Sequence, residues 1–224
     1  MNQTQRATLA RSVLSRPRRV TVRIGGWQHP ALPERPGLAT DPHGVPLFSV
    51  APGSMFAAAA MEAAVVSIEV LSGVGRPGSP EREARLHLEG TLQHRGACRC
   101  CDDQAIVAVQ LRTVRVHTDE WRPVGLEHFH DPKHVLNPGF LEQMTEHANL
   151  AHQDELRESV AAAMGFDPSS LLAASLDRLD PFGVDVTWVD ADGASTRHLT
   201  FATVVRTPDE LGEALRTHLH PDLC

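Results

Sequence analysis

Residues 147–156 read HANLAHQDEL, which places two histidines, an asparagine and two acids within ten positions. Side chains of these types, this close together, can ligate a metal, move protons or line a cofactor site. Spacing argues against the first of these. The zinc motif His-Glu-x-x-His sets its histidines four apart on one helical face. His147 and His152 are five apart, and at about 100° per residue they would point roughly 140° apart around a continuous helix. Asn149 stands mid-helix, where its propensity is poor because its amide competes for backbone partners. Two tasks for the stretch stay open: a satisfied hydrogen-bond network, or the lining of a cofactor site.

Other groups with reactive side chains are less specific. Cys98, Cys100 and Cys101 form Cys-x-Cys-Cys, whereas zinc ribbons need Cys-x-x-Cys pairs. A solvated hairpin tip is the expectation there, and with Cys224 these are read as free thiols. His128, His130 and His134 lie in a proline-bounded stretch where loop histidines can converge on a ligand, although most such residues are solvated. His43 sits in a turn, "PHGVP". His218 and His220 end the last helix, where a cation is electrostatically favoured, and from there they could also reach a ligand.

The elements that must position these residues follow from periodicity. Residues 3–16 carry apolar side chains at 7, 9, 10, 13 and 14, a helical spacing that Pro17 ends. Strands are expected at 20–24, 45–50, 64–73, 83–94 and 104–117, with a short helix at 53–63 capped by Ser54. Gly90 marks a possible bulge. Residues 20–117 thus give about five strands and one short helix, suited to a small antiparallel barrel. Residues 118–138 read as irregular. One long helix is expected over 139–165, with His147 facing partly inward and Gly165 at its C-cap. Strands at 171–179, 183–189 and 197–205 follow, the last two separated by the turn "DADG". A final helix begins with Pro208 in its first turn. The fold class is α+β: an antiparallel split β-barrel over 1–137, then a small α-β-β-β-α module over 138–224.

Composition narrows the function classes. The net charge of −7 disfavours a broad nucleic-acid surface. No apolar run approaches the ~20 residues of a membrane span, and no secretory segment follows the basic start, so the expected location is cytoplasmic. Of twenty-one Lys and Arg only Lys133 is lysine, a bias typical of high-GC bacterial genomes. Arg6, Arg11, Arg16, Arg18, Arg19 and Arg23 all precede the first acid, Glu34. There is no G-x-G-x-x-G after a strand, no P-loop, no nucleophile elbow, no heptad pattern and no internal repeat.

The order of motifs carries a resemblance. "GVPLF" and "SMFAAAAME" followed by "MTEHANLAHQDEL" and "LDPFGVDV" resembles the FMN-binding split-barrel (pyridoxamine-phosphate-oxidase-like) fold with its C-terminal α/β module. The module's helix typically carries His-Met-Asn-x-Asp-His. Here His147, Asn149 and His152 match, while Ala151 replaces the acid. "LDRLDPFGVD" is similar to the module's Asp-x-x-Gly turn, and "RHLTFATVV" to its Arg-x-x-Phe strand. The C-terminal match spans about 139–220; the N-terminal one, about 5–117, is weaker. Proteins with both parts include haem-degrading split-barrel oxygenases, plant glutamyl-tRNA-reductase-binding proteins and bacterial haem-dependent piperazate synthases.

The resemblance implies a homodimer with a planar cofactor. Flavin-binding members hold the FMN phosphate with basic residues around the second and third strands. Strands 45–50 and 64–71 here hold no Arg or Lys, and a phosphate dianion without basic partners is poorly held. FMN is therefore disfavoured and haem b expected. In the haem-degrading members the iron ligand lies near the C-terminus, which points to His218 or His220. His152 and Asn149 would line the cofactor site. Arg23, Arg112 and Arg115 are candidates for the propionates. The leading expectation is a small-molecule amino-acid substrate, N5-hydroxyornithine, cyclised by N–N bond formation with His147 or Glu146 as base, as suits an actinobacterial biosynthetic enzyme. Haem degradation is the second possibility, and a non-catalytic haem-binding or regulatory module the third. Neither a nucleic acid nor a membrane is expected as a partner.

Overall fold

The computed structural model describes residues 1–25, 27–30, 38–97 and 104–219. The chain divides into two compact units, 1–139 and 140–224. Together they form the α+β architecture expected: an antiparallel half-barrel, and a separate three-stranded sheet with helices.

The first unit begins with α1 (Gln3–Ser15). Asn2 caps it reciprocally: its side chain accepts from the Gln5 amide and the Gln5 side chain accepts from the Asn2 amide, each at 2.9 Å. Pro17 opens β1 (Pro17–Ile24). Then come β2 (Trp27–Pro30), β3 (Leu38–Thr40), β4 (Pro46–Val50), α2 (Met55–Met61), β5 (Val65–Ser72), α3 (Pro80–Glu83), β6 (Arg85–Ala97) and β7 (Ala105–His117). The ladder order is β2-β1-β5-β6-β7-β4-β3, and β8 (Trp121–Pro123) pairs with one end of β7. β4 takes the other end of the same edge, at Ala105–Ala108.

Alternation explains which face is buried. Val20 and Val22, Val66, Ile68 and Val70, then Leu86, Leu88 and Leu92 all face one core, which α1 completes with Ala7, Ala10, Val13 and Leu14. On β7 the buried set changes phase, from Val107, Val109 and Leu111 to Val114 and Val116. The cause is a bulge. Gly90 pairs with Leu111 and Glu89 with Thr113, so Arg112 is the extra residue. Gly90 is needed opposite it, because a Cβ there would lie 2.2 Å from the Gln110 carbonyl oxygen.

The stretch expected to be irregular, 118–138, holds β8, α4 (Leu126–Phe129) and a 3-10 turn at Pro132–His134. β2, β3 and β8 escape a period-based reading because each has four residues or fewer.

The second unit departs from expectation at its helix. α5 (Pro138–Ala151) ends one residue before His152, and α6 (Gln153–Met164) follows. His152 leaves the helical region at φ −126°, ψ 37°. Asp154 and Glu155 occupy the first turn of α6, where carboxylates favour a new helix N-terminus. Gly165 caps α6 in the left-handed conformation at φ 73°. The sheet is β9 (Ala173–Asp180), β10 (Gly183–Asp190) and β11 (Gly193–Thr200), in the order β11-β10-β9. One device makes both turns. Asp180 Oδ1 accepts from the amides of Phe182 and Gly183, and Asp190 Oδ1 from those of Asp192 and Gly193. β11 therefore runs 193–200 rather than 197–205: the second turn starts it at Gly193, and its partner β10 begins opposite Thr200. α7 (Pro208–His218), capped by Thr207, buries Leu211 and Leu215.

Candidate functional site

The helix break overturns the angular argument made for HANLAHQDEL. With His152 out of helical geometry, the His147 and His152 rings meet edge to face, with centroids 5.3 Å apart. His152 Nδ1 lies 3.7 Å from Glu155 Oε1. His147 is exposed rather than partly inward, and Glu146 is exposed beside it. The buried stripe of α5 passes through Leu141 and Ala148, which leaves position 147 at its margin. Among the described residues no group of three or more His, Cys, Asp or Glu could hold a metal ion.

Asn149 has a definite structural task. Its Oδ1 accepts from the Leu176 amide at 2.7 Å, and its Nδ2 donates to the Leu176 carbonyl at 2.9 Å. The side-chain amide thus reads β9 as another strand would, and covers that edge of the sheet.

His218 is positioned from within its own helix. Its Nδ1 lies 2.8 Å from the Ala214 carbonyl oxygen, and the buried Phe201 ring packs 5.7 Å from it. A carbonyl only accepts, so Nδ1 carries a hydrogen, and in the neutral ring Nε2 is the nitrogen with the lone pair. His220 and the cysteines 98, 100, 101 and 224 lie outside the described residues.

The three arginines lie on the outer face of the half-barrel, and all are exposed. Arg112 is the bulged residue, and Arg115 sits on the same strand opposite His87. Arg23, on β1, is three strand spacings away, roughly 14 Å. Arg112 and Arg115 thus share one strand, three residues apart, and Arg23 lies on another.

Sequence reasoning missed two clusters. On the outer face, Trp121 packs against His117 at 5.1 Å and His87 at 6.0 Å, with the Arg115 guanidinium 5.8 Å from its ring centre. Ser67 Oγ lies 2.9 Å from His87 Nε2. In the second unit, the Asp185 side chain is only 6% exposed and meets His198 Nδ1 at 2.7 Å and the Arg178 guanidinium. The His198 hydrogen bond holds the Asp185 carboxyl below its ordinary pKa; burial opposes this, and the Arg178 charge adds to the lowering. The signal for this cluster was present in "DADG": counting back five residues from each side of the turn sets Asp185 opposite His198.

The fold and these positions define a class, an α+β half-barrel protein with a second α/β unit. No protein-family model matches the chain, and no curated protein matches it. Among solved structures it is similar to a haem-binding protein from Mycobacterium smegmatis, at 15% identity and TM-score 0.43, with 95% of each chain covered. It is also similar to the protein Atu2129, of unknown function, from Agrobacterium tumefaciens, at 17% identity and TM-score 0.44, covering 95% of this chain and 94% of that one.

Proposed function

We propose that this protein binds haem b through His218 and uses it in N–N bond formation on an N-hydroxylated amino acid, N5-hydroxyornithine. The observation that carries the reading is the His218 hydrogen bond. Histidines that ligate metals commonly donate their other ring N–H to a carbonyl or carboxylate, which fixes the tautomer and strengthens the donor nitrogen. Ala214 supplies that carbonyl and Phe201 limits the ring's freedom. The absence of Arg and Lys from β4 and β5 argues in the same direction, against FMN. Arg112 and Arg115 would pair with haem carboxylates.

Bound haem iron would supply a Lewis acid for the hydroxylamine oxygen, which would leave as water as its N–O bond breaks and the N–N bond forms. The protein's own part is proton handling and placement. His147, exposed on α5 beside Glu146, is the base to accept a proton from an attacking α-amine. Its edge-to-face contact with His152 restrains the ring. A homodimer would present the haem and amino-acid sites twice.

Purified protein titrated in parallel with haem and FMN tests the cofactor. The expected result is a sharp Soret band saturating at one haem per chain, and no flavin binding. Incubation of the haem-loaded protein with N5-hydroxyornithine should then yield the cyclic hydrazine. Ring opening of haem under reductant, with no cyclisation, would overturn the activity, and FMN binding in place of haem would overturn the cofactor.

A further inference from the structure

We propose that His134 is a proton-operated latch: in its neutral form it holds segment 131–139 against α1, and protonation releases that segment. This inference stands apart from haem binding.

The seam is polar and regular. Thr8, Ser12 and Ser15 lie on one face of α1 at i, i+4 and i+7. Each meets the segment in turn. Thr8 Oγ1 is 3.2 Å from His134 Nδ1, and the Asn137 side-chain amide donates to Ser15 Oγ at 3.1 Å. Gly139 packs so closely that a Cβ would lie 2.1 Å from the Ser12 carbonyl oxygen. His134 and Asn137 are buried, at 4% and 2% exposure. The segment runs directly into α5, which carries Glu146, His147 and Asn149.

Hydrogen bonding fixes which nitrogen can take the proton. The Thr8 hydroxyl donates to the Thr4 carbonyl at 3.0 Å. It therefore accepts from His134, whose Nδ1 carries the hydrogen. Nε2 is left as a bare lone pair, buried and without a hydrogen-bond partner among the described residues. A proton added there would create a buried N–H⁺ without an acceptor, which is costly.

Neighbouring charges make this worse. Arg11 approaches from α1, His128 from α4 and Lys133 from the 3-10 turn itself. Asp131 is the acid on that turn, and it is already engaged by Lys133: its Oδ1 accepts from the Lys133 amide at 3.0 Å and its Oδ2 meets Nζ at 2.5 Å. Arg11 cannot withdraw. It is 2% exposed, and its guanidinium donates to the carbonyls of Phe129 at 3.1 Å and Pro42 at 3.0 Å. Burial first, and then Lys133, hold His134 below the ordinary histidine pKa; Asp131 opposes them, and Arg11 and His128 add to the lowering. Protons therefore favour the released state, and the linkage appears as pH falls below about 6.5, the ordinary histidine value.

Amide hydrogen exchange of the full chain at pH 7.5 and 5.5, corrected for intrinsic exchange, tests the latch. At most one proton taken up on opening predicts up to about tenfold more opening of 131–139 at the lower pH, with β6 amides unchanged. His134→Asn keeps a donor near the Nδ1 position and cannot titrate, so it should abolish that difference. An equal rise in the variant, or no rise in the wild type, would overturn the proposal. Should His134→Asn not fold, imidazole NMR of the wild type decides. His134 should take up its proton only together with shifts of the 131–139 amides. Titration at an ordinary value inside an unchanged fold would contradict the latch.

Discussion

Asp185 shows how a single side chain can be set by its two partners. The carboxylate is nearly covered, and it keeps its charge because His198 and Arg178 both address it. Its folded-state pKa lies below the unfolded value of about 3.9. The stability it contributes is therefore complete above that value and is lost as pH falls through the lowered folded pKa. Asp185→Asn should be less stable than wild type at neutral pH. Its stability should also change less steeply between about pH 2 and 4, which chemical denaturation across that range would measure. A variant with the wild-type acid profile would show that the cluster lacks this role. Asn149 makes a similar case. Asn149→Leu removes both bonds to Leu176 and leaves two backbone groups of β9 without partners, a cost of about 1–3 kcal/mol. Equilibrium unfolding of the variant checks it.

At the scale of elements, two irregularities set the geometry: the β7 bulge at Arg112 and the helix break at His152. Gly90→Ala would drive a methyl into the Gln110 carbonyl and should destabilise the half-barrel by about 1–3 kcal/mol; a thermal unfolding midpoint unchanged from wild type would contradict this account of the bulge. Period-2 alternation made β5, β6 and β7 legible, because each buries one face against one core. It could not reveal β2, β3 or β8, which are too short to show a period and depend on neighbouring strands for definition. The break at His152 was harder to read. The apolar stripe continues through it at Leu156 and Val160, so hydrophobic pattern alone favours one helix. The acids at 154 and 155 were the available sign of a new N-terminus. That one misread residue also reversed the relation between His147 and His152, from opposed to adjacent. The start of β11 followed from turn chemistry already visible in Asp190 and Gly193, and was misplaced because apolar residues, which cluster later at Leu199 and Phe201, were given more weight.

For the whole molecule, what stands is an α+β chain of two compact units, with no helix among the described residues long and apolar enough to cross a membrane. The half-barrel carries exposed arginines on its outer face, and the second unit carries a histidine, His218, whose Nδ1 is held by the Ala214 carbonyl. Function was less legible than fold, since period and turn chemistry specify strands and helices but do not say which of thirteen histidines presents a free nitrogen. The Ala214 carbonyl fixes the His218 ring in that way, as the His43 carbonyl fixes that of His130. The measurement that bears most directly on the account is therefore a haem titration of His218→Ala beside wild type, with free imidazole added back. The account predicts a sharp Soret band for wild type, its weakening by at least tenfold in affinity in the variant, roughly the scale of losing one ligand's support, and restoration by imidazole. An identical band in His218→Ala, or no band in wild type, would contradict it.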